Sequence, residues 1–249
     1  MRDIITAKIA EIEKSENVRI IYAVESGSRA WGFASPDSDY DVRFIYVRPK
    51  EFYLKLDKIR DVIEWQLDET LDINGWDLQK TLRLLYKSNP TVFEWDKSPV
   101  VYKITPEWNT IRSKINSCFS MKSVMYHYIS IARGTYNDNL RTDMVRLKKY
   151  FYAVRPILAA KWVLDKRCPP PIYFAELVES ELAPEMRPII ETLLAQKAKT
   201  PELGEEKRVD ALNEYIEKNI DLLTIAAGNL PNDYISDWNT LNELFLSIV

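Results

Sequence analysis

Histidine is nearly absent from this chain: His127 is the only one in 249 residues. Multi-histidine metal centres need several and are excluded, and a Ser-His-Asp or Cys-His relay would have only His127 to use. His127 lies in a helix-period stretch, 121–132, and is expected to be an ordinary packed or surface side chain. Cysteine is scarce too. Cys118 and Cys168 are too few for a disulfide framework and fit a reducing cytoplasm. Six glycines and thirteen prolines exclude a collagenous or low-complexity chain. No apolar run is long enough to cross a bilayer. The first residues carry Arg2, Asp3 and Lys8 where a secretory signal would need an apolar stretch, so none is expected. The net charge of −3 gives no global basic footprint, and any nucleic-acid contact must come from a local patch.

What the chain does have is core. With 46% hydrophobic residues over 249 positions, it can build one large domain or two modest ones. Ile4, Ile5, Ile9 and Ile12 recur near the helical period, and Val18–Val24 reads as a buried strand. A second strand is expected over Asp39–Val47, and Lys50–Leu56 reads as helix. Further strands are expected at Val62–Leu67 and Thr70–Ile73, or one long bent strand covers both. Helices are expected from Leu78, after a cap at Asp77, and over Thr91–Asp96. Beyond residue 105 only helical patterns appear, at roughly 106–116, 120–134, 142–166, 183–198, 206–227 and 235–248. Pro169, Pro170 and Pro171 break that series. The reading is an α+β head over 1–105 and an all-α tail over 106–249.

The stretch from Glu25 to Val47 concentrates the chemistry. Gly27-Ser28 follows one apolar strand, and Asp39 and Asp41 open the next. Glycine lets a backbone approach a phosphate closely, a helix start offers free N–H groups, and the Ser28 hydroxyl adds a donor. Simple helix capping by Ser26 or Ser28 is the plainer alternative. Arg29 stands where it could meet a triphosphate. Residues two apart on a strand share a face, so Asp39 and Asp41 project together while Tyr40, Val42, Phe44 and Tyr46 face the core. Two like charges held close need a cation, and Mg²⁺ suits carboxylate and phosphate oxygens.

A third acid should come from a neighbouring strand. Asp72, between Leu71 and Ile73, has that pattern and is favoured as metal ligand or proton acceptor. Asp77 is the alternative, but its place just before a helix suits a cap. In the tail, basic residues outnumber acidic ones eight to three between Asp138 and Arg167. Lys148, Tyr152 and Arg155 share a helix face, with Lys149 beside them, and could bind nucleotide or acceptor phosphates. A solvated basic face beside core tyrosines is the equal alternative. Lys80 and Lys87 read as ordinary helix cations, and Trp31 and Phe33 are expected to pack rather than border a base pocket.

Gly27-Ser28, Asp39-Tyr40-Asp41 and Asp72 resemble the signature of the DNA polymerase β-like nucleotidyltransferase superfamily. The segments 27–33, 75–80, 87–90, 93–95, 98–99 and 146–156 resemble more closely a predicted nucleotidyltransferase family associated with bacterial and phage RNA repair. The resemblance spans about two-thirds of the chain. It implies a mixed sheet flanked by helices as the head and transfer of a nucleoside monophosphate from a triphosphate to a hydroxyl. It also implies Mg²⁺, with Mn²⁺ as substitute, and suggests an RNA end as acceptor. Adenylylation of a small molecule or a protein would use the same chemistry. A regulator that binds the triphosphate without transferring it is the reading from another class.

Overall fold

A computed structural model of the chain describes residues 1–57, 60–68, 70–198, 205–233 and 237–249. The described elements form two compact units. The first takes Met1–Ala30, Asp39–Cys118 and the stretch carrying the last helix. The second takes Trp31–Ser38 and the chain from Phe119 up to the stretch before the last helix.

In the first unit, helix α1 (Arg2–Glu16) ends at Asn17, whose left-handed backbone (φ 50°) turns the chain into β1 (Arg19–Glu25). A five-residue helix, α2 (Gly27–Trp31), and a turn lead to β2 (Tyr40–Val47). After α3 (Lys50–Tyr53) come β3 (Val62–Asp68) and β4 (Leu71–Asp77), then α4 (Leu78–Tyr86), α5 (Pro90–Asp96), β5 (Val101–Ile104) and α6 (Pro106–Ile115). The five strands form one mixed sheet in the order β3-β4-β2-β1-β5. Only β2 and β4 are parallel. This is the α+β architecture expected of the head. β3 and β4 are an antiparallel pair, not one bent strand, while β5 is a short edge strand that the periodicity did not reveal.

Alternation sorts the two faces of the sheet. Val42, Phe44 and Tyr46 of β2 join Leu71 and Ile73 of β4 in a core closed by Ile5, Ile9 and Ile12 of α1. Gly75 lies under the Phe44 ring, and any β-carbon there would overlap it. On the opposite face Trp76 packs on Trp95 of α5 at 4.1 Å, and Tyr22 stacks on Trp108 of α6 at 4.5 Å. That face is covered toward Trp76 and Tyr22. Its other end holds Asp41, Arg43 and Asp72, all partly or well exposed.

The second unit is built on three long helices, α7 (Met121–Asn139), α8 (Leu147–Lys166) and α11 (Asp210–Asn229). Between α8 and α11 lie α9 (Phe174–Glu181) and α10 (Arg187–Lys197). The expectation missed α9. The helix expected from 142 starts at Leu147 because Met144–Arg146 is a short strand, β6, paired with β7 (Glu205–Lys207). The last helix, α12 (Trp238–Ile248), belongs to the first unit, and the expected start at 235 lies outside the described residues. A buried polar chain ties the long helices together. The Tyr150 hydroxyl accepts from the Val209 amide and donates to Asn213, whose amide group donates to the Leu140 carbonyl.

The units are therefore drawn differently from a cut at 105. α6 and α12 join the sheet, and Trp31–Ser38 joins the helices. Phe33 sits among Phe151 at 5.2 Å and Phe174 at 5.3 Å, deep in the helical core. Phe33→Ala is expected to cost about 3–5 kcal/mol of stability in urea unfolding, the scale for a buried phenyl. A loss below about 1 kcal/mol, the scale of a surface change, would take Phe33 out of that core.

Candidate active site

The site face begins where β1 ends. Ser26 donates its amide to the Asp41 carbonyl (2.8 Å), and the Asp41 amide donates to Glu25 Oε1 (2.8 Å). The chain then turns at Gly27 with φ +59°, a conformation that favours glycine. A β-carbon at Gly27 would also overlap the Asp41 carboxylate. The backbone of the Gly-Ser turn and the Asp41 carboxylate are thus neighbours, an arrangement only glycine permits. Ser28, the next residue, is buried, at 4% exposure.

Parallel pairing places Asp41 directly beside Asp72. Arg43, two residues beyond Asp41 and on the same face, joins them. Its Nη2 donates to Asp41 Oδ1 at 2.9 Å and to Asp72 Oδ2 at 2.8 Å. Nη1 donates to the carbonyls of Val42 (3.0 Å) and Asp72 (3.2 Å). Asp39 precedes β2 and is exposed. Its carbonyl accepts from Arg29 Nε (3.1 Å), and the Arg29 guanidinium lies 3.8 Å from the Tyr40 ring centre.

Asp77 stands elsewhere. It is 1% exposed, caps α4 by accepting from the Gln79 amide (2.7 Å) and accepts from the Tyr53 hydroxyl (2.9 Å). Burial raises its pKa. The structure brings Asp72, not Asp77, to Asp41.

Two contributors escaped the sequence reading. Arg43 was open to the same period-two argument that paired Asp39 with Asp41. Glu25, 1% exposed, is an acid at the end of an otherwise apolar strand. Its second oxygen accepts from the Tyr102 hydroxyl on β5, and Ser98 Oγ donates to its carbonyl (2.5 Å). Burial raises the Glu25 pKa, opposed by the hydrogen bonds from Tyr102 and the Asp41 amide.

The tail residues behave differently from one another. Lys148 and Lys149 stand in the first turn of α8, half-buried. Arg155 is 3% exposed, with its guanidinium 4.3 Å from the Trp31 ring centre and Nη2 directed at the Ile172 carbonyl (3.5 Å). Tyr152 meets the same ring edge-on at 5.4 Å. The shared face of Tyr152 and Arg155 therefore packs on Trp31 within the helical unit. Arg155, expected to bind nucleotide or acceptor phosphates, is thus buried against that ring. Lys80 pairs with Asp61 (3.2 Å), as an ordinary helix cation would.

Among the described residues, no three His, Cys, Asp or Glu side chains gather as a ready metal cage. The donor chemistry still fits a hard divalent ion. Two carboxylate oxygens converge on one point already taken by a positive nitrogen, and exposed Asp39 lies two residues before Asp41. Among the described residues no helix is long and apolar enough to cross a membrane.

A family model described as RNA repair pathway DNA polymerase beta family, RlaP, matches residues 1–247. Uncharacterized protein YcgL of Bacillus subtilis (strain 168) is 43% identical over 251 residues, covering 100% of this chain and 96% of that one. The crystal structure of a nucleotidyltransferase-like protein from Exiguobacterium sibiricum 255-15 aligns with 90% of this chain and 77% of its own. The identity is 13% and the TM-score 0.37.

Two outcomes are expected at this site. Gly27→Ala should cost about 1–3 kcal/mol in chemical unfolding, because a strained φ and an overlap with Asp41 combine; wild-type stability would contradict the close approach. Glu25 holds its proton more tightly folded than unfolded, so its contribution to stability is largest at low pH. That contribution falls as pH rises from the ordinary carboxylate range through the raised value. Glu25→Gln cannot titrate. The stability of wild type relative to Glu25→Gln should therefore decline as pH rises above the ordinary carboxylate range, and a flat difference would mean that Glu25 is not shifted.

Proposed function

Because the chain belongs to the RNA repair pathway DNA polymerase beta family, we propose that it transfers a nucleoside monophosphate from a nucleoside triphosphate to a hydroxyl. The α-phosphorus gains a bond to the acceptor oxygen and loses its bond to the bridging oxygen, releasing pyrophosphate. One observation carries the reading: the register-matched carboxylates of Asp41 and Asp72, with the Gly27 backbone packed against the first.

Asp41 and Asp72, with Asp39, would hold Mg²⁺ or Mn²⁺, hard ions suited to this all-oxygen set. Such an ion supplies charge neutralisation for the phosphates and the departing pyrophosphate. The chain's own residues supply the rest. Gly27 leaves room for a phosphate oxygen to approach the turn. Asp72, at 51% exposure the more open of the paired acids, would accept the proton of the incoming hydroxyl at a carboxylate oxygen. Arg29, steadied by the Asp39 carbonyl and the Tyr40 ring, offers a cation at the same edge of β2.

An RNA end is the acceptor in this proposal. The family's description supports it, as does the local basic excess around Lys148 and Lys149, the tail cations that would meet phosphate.

The experiment is transfer of α-labelled nucleoside triphosphates to an RNA pool with Mg²⁺ or Mn²⁺. Wild type should label RNA, and Asp41→Asn or Asp72→Asn should lower the rate by about 10²–10³-fold. Labelling that survives both substitutions would remove the carboxylates from the chemistry. Pyrophosphate release without labelled RNA would move the acceptor to a small molecule or a protein.

A further inference from the structure

Arg43 occupies the position that the proposed chemistry gives to a cation. One guanidinium nitrogen bridges Asp41 and Asp72, and the other is tied to two main-chain carbonyls on β2 and β4. The side chain is 19% exposed and fixed across two adjacent strands. Fold stability is a weak reason for this arrangement, since partly exposed ion pairs contribute little and Asp72 is half in solvent. The electrostatic consequence is larger. Nη2 stands between the two carboxylates, where a metal ion would have to sit. An ion settling between Asp41 and Asp72 must displace Nη2, because two cations cannot share that point.

We infer that Arg43 is an internal counter-cation that keeps this carboxylate set from loading a free divalent ion and releases it when a triphosphate arrives. The inference rests on the metal and nucleotide reading above. A planar guanidinium pairs with phosphate oxygens as readily as with carboxylates, so the incoming triphosphate offers Arg43 a new anionic partner while Asp41 and Asp72 turn to the metal. Metal and nucleotide then bind with positive coupling, each raising the affinity of the other by the same factor. Arg43 is in this sense a positioning residue, acting through the carboxylates.

The test needs no turnover. Mn²⁺ binding to the full chain is followed by electron paramagnetic resonance of the free ion, with and without α,β-methylene-ATP. Wild type should bind free Mn²⁺ weakly and gain strongly from the nucleotide. Arg43→Gln should bind free Mn²⁺ tighter on the order of tenfold, with the nucleotide's enhancement reduced to match. Arg43→Lys, which keeps the charge, should stay near wild type. Equal Mn²⁺ affinity and equal coupling in wild type and Arg43→Gln, with unchanged circular dichroism and melting, would overturn the inference and leave Arg43 a cross-strand tie. Should Arg43→Gln fail to fold, wild type decides alone: Mn²⁺ affinity indifferent to the nucleotide overturns it. Asp41→Asn separates the two levels. Mn²⁺ binding that ignores this substitution, or no binding by any variant with nucleotide present, sinks the metal site itself. Asp41-dependent binding equal in wild type and Arg43→Gln sinks only the role of Arg43.

Discussion

From Tyr40 opposite Leu71 to Tyr46 opposite Asp77, β2 and β4 run in parallel register, and the pairing of Asp41 with Asp72 depends on that ladder. Parallel neighbours cannot be joined by a tight turn. Here the chain passes through α3 and β3 before β4 returns, and β3 then pairs antiparallel with β4 on its outer side. A slip of one residue would turn Asp72 into the core and Leu71 and Ile73 toward solvent. What prevents the slip lies on the back of the sheet, where Phe44 covers Gly75 and the β2 aromatics meet α1. The apolar face holds the register, and the acids on the other face share the result.

Negative charge is handled in two ways within a few residues. Glu25 is buried and survives through hydrogen bonds from Tyr102 and the Asp41 amide, which soften the cost of desolvation. Asp41 and Asp72 are nearer solvent and are held by the guanidinium of Arg43. The first arrangement fixes the backbone of Asp41. The second fixes its side chain against that of Asp72. Together they hold the two carboxylates side by side.

Much of this was legible from local pattern. Period two put Asp39 and Asp41 on one face with Tyr40, Val42, Phe44 and Tyr46 behind them, and an acid between Leu71 and Ile73 pointed to Asp72. The helical run after Asp77 marked a cap. Contacts between distant segments left less trace. Glu25 gains its meaning from Tyr102 on β5, a four-residue edge strand too short to show a period. The three-residue strands β6 and β7 were hidden for the same reason, and α9 by its closeness to the proline run. The helical period puts Lys148, Tyr152 and Arg155 on one face, yet a face shared with core aromatics tells nothing of which way it turns. Two of them turn to Trp31.

The stretch Trp31–Ser38 lies between the Gly27 turn and Asp39 in the sequence but takes its fold from the helices: Trp31 on Tyr152 and Arg155, Phe33 in the aromatic core, Ser35 beside the buried Lys197. The two halves of the Gly-Ser and Asp-x-Asp motif are thus joined by a loop whose tertiary partners are not theirs. No single cut yields the sheet unit as a transferable cassette, because any excised version carries away an orphaned aromatic loop. In this chain the Gly-Ser and Asp-x-Asp stretch and the helices that hold its loop are inherited together or not at all.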